Sequence, residues 1–103
     1  MQTEDRFVRK LIFSFPSLHR TAPGLTPWNP TMWAKWWRTS GAQTSGTYHA
    51  VALCLSVWSG GNRDAAGRKW FTGYEFDAAR AMGSWDNAHR AAFLKWVADP
   101  WWP

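Results

Sequence analysis

The 103 residues carry 12 Lys or Arg against 7 Asp or Glu, a formal net charge of +5, and include 10 Trp, 6 Phe and 2 Tyr. That aromatic load excludes a disordered chain, and the single cysteine, Cys54, excludes an internal disulfide framework. The longest apolar run, Tyr48 to Trp58, is about half of the ~20 residues a membrane span requires, which leaves one small basic globular domain, residues 1–103, expected in the cytoplasm.

Thr3 to Phe15 reads as an amphipathic helix. Thr3 stands as its N-cap, Glu4 and Asp5 suit the first turn, and Phe7, Leu11 and Phe15 recur every four residues beside Val8 and Ile12. A strand competes over Phe7 to Phe15, and Pro16 ends the segment either way. No secretory leader is expected here, because acids come early and Leu11 to Phe15 is a short apolar stretch. Residues 17–30, with Pro23, Gly24, Pro27 and Pro30, form an irregular loop.

Asn29 followed by Pro30 predicts a helix entry, an N-cap acceptor before a proline at the first helical position. The helix runs from Pro30 to Arg38, with Trp33, Trp36 and Trp37 on one side and Lys35 and Arg38 on another. After a polar loop from Thr39 to Gly46, Thr47 to Ser59 is apolar almost all round, which predicts a buried central helix with Gly60-Gly61 as its left-handed cap. A strand competes over Val51 to Val57. Gly60 to Gly73 is a basic, glycine-rich connection in which Trp70 and Phe71 form a short extended piece pinned to the core, so minor strand content is expected near residues 70–76.

Asp77 to Met82 predicts a short helix ended by Gly83, and Ser84 or Asp86 caps a last helix to Ala98. On it Trp85, His89, Phe93 and Trp96 form one stripe, Ala88 and Ala92 permit close approach, and Asn87, Arg90 and Lys95 point elsewhere. Asp99-Pro100 terminates this helix before a stiff tail of Trp101, Trp102 and Pro103. The fold class is therefore all-α, a compact bundle of four to five short helices.

Its core is expected to be Trp-rich. Area scaling for 11.8 kDa gives ~5,900 Å² folded against ~17,000 Å² unfolded. The aromatic rings, at ~200 Å² each, supply about a third of the area removed from water. Large aliphatics are few, so the default role of any one Trp is structural.

Little in the sequence has the spacing that catalysis or metal binding needs. Cys54, His19, His49 and His89 lack paired-ligand spacing, so no metal and no cofactor is expected, and His89 is expected to pack in the stripe with one nitrogen hydrogen-bonded. There is no nucleophile elbow, Cys54 sits in an apolar run that makes a thiol inert, and the acids fall mostly at helix starts. The chain is read as non-catalytic. The stretch Gly60 to Lys69 fails as a P-loop, having five residues between Gly61 and Gly67 and no hydroxyl after Arg68. Glu75 to Lys95 resembles a helix-turn-helix in outline, but His89 stands where an aliphatic is needed, so a plain helical hairpin is favoured.

The remaining reading is a binding protein for an acidic partner, nucleic acid before protein, carried by cations at Arg6, Arg9, Lys10, Arg20, Lys35, Arg38, Arg63, Arg68 and Lys69. Candidate binding residues are Lys35, Trp37 and Arg38, where aromatics interleave with cations, the loop residues Arg63, Arg68 and Lys69, and the terminal Trp101 and Trp102, which either clasp the last helix or hook a partner. The alternative is a protein-interaction module (inhibitor, adaptor or immunity-type protein) that uses a Trp-rich surface. Membrane-surface association ranks third, since the first helix is only weakly one-sided.

Overall fold

Local capping decides where most of the helices begin. A computed structural model describes residues 3–41, 43–59 and 74–103, which hold five α-helices and no strand: α1 (Thr3–Lys10), α2 (Pro30–Thr39), α3 (Ser45–Ser59), α4 (Ala78–Ser84) and α5 (Asn87–Ala98). The Asn29 side chain accepts the Met32 N–H at 3.0 Å with Pro30 in the first helical position. Asp77 does the same for the Arg80 N–H at 3.1 Å, and Asp86 for the His89 N–H at 2.9 Å. Each such cap holds one of the amide groups that a helix start leaves without an intrahelical acceptor.

Three boundaries differ from the sequence reading by two residues or more. The first segment does not continue as an α-helix to Phe15: α1 closes at Lys10, and a 3₁₀ turn over Ile12–Ser14 follows, with the Ser14 hydroxyl donating to the Leu11 carbonyl. Phe7, Val8, Leu11, Ile12 and Phe15 are nevertheless all buried, because the tighter turn keeps the apolar side facing inward. Helix α3 starts two residues earlier than expected, capped by Thr44, whose Oγ1 accepts the Thr47 N–H at 3.3 Å. Gly83 does not end α4, which runs through it to Ser84 before the chain turns at Trp85 and Asp86. Residues 74–76 carry no strand, and the expectations for 60–73, including the Gly60-Gly61 cap, Trp70 and Phe71, lie outside the described residues.

Helix α3 is the central element. Its consecutive residues Ala50 to Leu55 are all buried, as an apolar surface without a polar face requires. Around it the indoles and phenyl rings meet edge to face or tilted. Phe7 lies 5.1 Å from Trp28 and 5.2 Å from Trp58, Trp28 lies 5.4 Å from Trp33, and Trp33 lies 6.4 Å from Trp37. A second group joins Phe15, Trp85, Phe76 and Phe93 at 5.5–6.0 Å. Pairs of this kind contribute about 0.5–1.5 kcal/mol beyond the area they bury. Trp33 and Trp37 are fully buried, so truncating either to Ala is expected to cost about 3–5 kcal/mol. The accessible surface of 6045 Å² and radius of gyration of 12.5 Å match the ~5,900 Å² and ~12.8 Å expected for this size.

Two features of the packing set up the functional surfaces. The tail folds back along α5: Trp96 Nε1 donates to the Trp101 carbonyl at 3.0 Å, and the Trp96 and Trp102 rings meet edge to face at 5.4 Å. The turn after Phe15 packs under α5, where His89 reaches Ser17. Ala88 does not meet a neighbour as expected; it is exposed, and α5 buries His89, while Trp85, expected on the same helix, is buried in the extended link before it. Arg90, half-buried, turns back so that its Nε donates to the Met82 carbonyl at 2.9 Å, tying α5 to α4.

Candidate functional site

Folding gathers cations that are dispersed in the sequence. A cleft of about 590 Å³ is lined by Arg6, Arg9 and Lys10 of α1, Arg20 of the following loop and Lys95 of α5, with Phe13, Trp96 and Trp101 as its aromatic walls. Among the described residues, Asp99 is the one carboxylate in this lining. Asp5 stands beside it and holds Arg9 at 3.2 Å across one helical turn, an exposed pair that contributes little to stability. The cleft therefore keeps an excess of positive charge between rings.

Two of its guanidinium groups are positioned by those rings. Arg6 lies over the Trp101 ring, 4.7 Å from its centroid, and Arg20 lies over Phe13 at 5.0 Å. Such contacts orient a guanidinium while leaving its N–H donors for an anion, and the planar fork suits a phosphate oxygen pair. The volume falls in the range of small-ligand clefts, enough for one or two nucleotide units.

The residues singled out from sequence divide sharply. Trp101 lines the cleft and is half-buried; Trp102 beside it is 59% exposed. Trp37 is not a surface residue: it is 0% exposed, packed against Trp33, Trp36 and His19, so it serves the core and cannot stack on a ligand. Lys35 and Arg38 are exposed on α2 but do not line the cleft. Arg63, Arg68 and Lys69 lie outside the described residues. The sequence reading counted Arg6, Arg9, Lys10 and Arg20 only as contributors to net charge, and placed Lys95 elsewhere; no periodicity connects α1 to α5.

Compared with protein-family models, curated proteins and solved structures, the chain matches none.

A second, smaller cavity of about 430 Å³ lies on another side, lined by Ser17, Thr44, Ser45, Gly46, Thr47, Ser84, Trp85, Asp86 and His89. His89 is buried and makes two side-chain contacts where one was expected: Nδ1 lies 2.8 Å from Asp86 Oδ1, and Nε2 lies 2.7 Å from Ser17 Oγ. The Asp86 carboxyl is held below its usual range, first by the His89 backbone N–H and then by the His89 ring. No local spacing signals this arrangement, since Ser17 and His89 are 72 positions apart. Among the described residues no group of three His, Cys, Asp or Glu is placed to hold a metal, and no helix is long and apolar enough to cross a membrane.

Proposed function

We propose that this chain binds single-stranded nucleic acid through the cleft between α1 and α5. The observation that carries the reading is the convergence of Arg6, Arg9, Lys10, Arg20 and Lys95 on a cavity walled by Phe13, Trp96 and Trp101. Cations that meet around aromatic walls provide both parts of this recognition, neutralisation of phosphates and stacking of bases worth ~1–3 kcal/mol each. A duplex is the poorer fit, because its bases are already stacked and cannot reach a recessed ring. The protein-interaction alternative loses most of its surface: Trp33, Trp37 and Trp85 are buried, and of the described indoles Trp102 is the strongly exposed one.

The test is fluorescence anisotropy of labelled oligothymidylate and oligouridylate across a salt series. If about four phosphates are neutralised, the logarithm of the association constant falls with a slope of about −2.8 against the logarithm of salt concentration. A fourfold rise in salt then weakens binding by about 50-fold. Arg6→Ala and Arg20→Ala each flatten the slope by about 0.7, whereas Lys35→Ala and Arg38→Ala leave it in place. Absence of binding at low salt, or binding indifferent to salt, ends the proposal.

A further inference from the structure

We propose that the cavity at Ser17, Asp86 and His89 is an acyl-transfer site that hydrolyses small uncharged carboxylic esters, with Ser17 as nucleophile and His89 as general base. Both ring nitrogens of His89 have defined roles. The Ser17 main-chain N–H approaches Nε2 at 3.4 Å and can only donate, so Nε2 carries the lone pair and Nδ1 carries the hydrogen. Nδ1–H then donates to Asp86 at 2.8 Å, and the Ser17 hydroxyl, 2.7 Å from Nε2, directs its hydrogen at the base. That is the nucleophile, base and orienting-group order that acyl transfer uses on unrelated folds. The ring is also fixed from its faces: Trp85 stacks at 6.4 Å with a 25° tilt, and Phe15 lies at 6.0 Å.

The same lining supplies a positive field. Helix α3 begins there, its Ser45, Gly46 and Thr47 lining the cavity. Thr44 Oγ1 takes the Thr47 N–H, while the amides of Ser45 and Gly46 have no acceptor within the helix. A helix start of this kind stabilises developing negative charge on a carbonyl oxygen. Among the described residues no Lys or Arg lines the cavity, which disfavours anionic esters, and the Ser45 hydroxyl in its lining suits a small polar one. The Asp86 side chain is 69% exposed, so it orients the ring in water and supports cleavage of an ester more readily than of an amide.

In the reaction Ser17 Oγ bonds to the ester carbonyl carbon as its proton passes to His89 Nε2. The tetrahedral adduct collapses with cleavage of the bond to the alkoxy oxygen, which takes that proton and leaves as alcohol. Water then gives a proton to Nε2 and attacks the acyl-Ser17 carbonyl. The proton returns to Ser17 as the carboxylic acid departs. No other reactant is required.

The full chain is assayed with p-nitrophenyl acetate and, separately, with a fluorophosphonate whose attachment site is located by peptide mass spectrometry. One label per chain on Ser17 is expected, and Ser17→Ala or His89→Gln lowers hydrolysis by at least 100-fold. Asp86→Asn, which keeps an N-cap acceptor for α5, lowers kcat with KM unchanged, a split that loss of a merely structural tie would not produce. If Ser17→Ala fails to fold, the labelling site in the unaltered protein decides the question. Absence of label on Ser17, or equal hydrolysis with and without its hydroxyl, overturns the proposal and leaves the cluster as a hydrogen-bonded tie.

Discussion

Replacing Gly24 by Ala tests how tightly the loop before α2 is packed against that helix. Gly24 has φ +90°, and a Cβ there would lie 2.8 Å from both the Asn29 carbonyl oxygen and the Trp33 nitrogen. Those two atoms are the acceptor and donor of a 3.0 Å hydrogen bond in the first turn of α2, so neither can yield without shifting the helix. That helix carries the fully buried Trp33 and Trp37. The left-handed backbone costs about 1–2 kcal/mol for an L-residue, and overpacking adds about 1–3 kcal/mol. The expected total of about 2–5 kcal/mol corresponds to a fall in Tm of roughly 10–30 °C for a chain of this size. Gly41 is the internal control, since its φ is +76° but a Cβ there meets nothing within 4 Å. Thermal unfolding followed by circular dichroism should therefore place Gly41→Ala about 1–2 kcal/mol below the parent, from backbone strain alone, and Gly24→Ala well below that. Equal losses at the two positions would refute the close-approach argument.

Burial lowers the pKa of His49, outweighing the opposing pull of Asp77, with Arg80 lowering it further. Protonation then favours the unfolded chain, so stability should be held above the ordinary histidine range and decline as pH falls below about 6.5. Urea midpoints between pH 7.5 and 5.5 check this, and His49→Gln should remove part of the slope. Cys54 is fully buried, and desolvation pushes its thiol well above the ordinary range. A maleimide should thus leave the native protein untouched yet react at once in denaturant; fast labelling of the native state would contradict the core assignment. Deleting residues 100–103 removes the Trp101 carbonyl from Trp96 and the ring under Arg6. This truncation should lower Tm by several degrees with helicity retained, and should weaken oligonucleotide binding.

What the sequence made legible was local. Asn29-Pro30 and Asp86 are caps whose partners lie three residues away, and His89, Phe93 and Trp96 follow helical spacing on α5, whereas Trp85, expected on the same stripe, precedes that helix in extended backbone. The break after Lys10 was hidden because Phe7 to Phe15 remains apolar on one side whether the turn is α or 3₁₀. Gly83 misled for a related reason: it is exposed with open space around it, so nothing penalises continuing the helix by one residue. Trp37 shows the limit of reading aromatics beside cations as a surface, since its indole is covered by Trp33 and Trp36 of its own helix and by His19 of the preceding loop, a contact that spacing within α2 does not reveal. Both candidate sites were beyond reach for the same cause. Arg6 and Lys95, like Ser17 and His89, meet only through packing across most of the chain's length.

The placement of Arg6 over Trp101 ties the opening helix to the closing segment. Whatever enters the cleft acts as a removable rivet between the two extremities, drawing its grip from both. Fraying of residues 99–103, which needs no melting of α3, would dismantle one jaw while the other stayed in place. Occupancy should therefore be lost at temperatures where the helical signal is still intact, and saturating ligand should slow amide exchange at both extremities together.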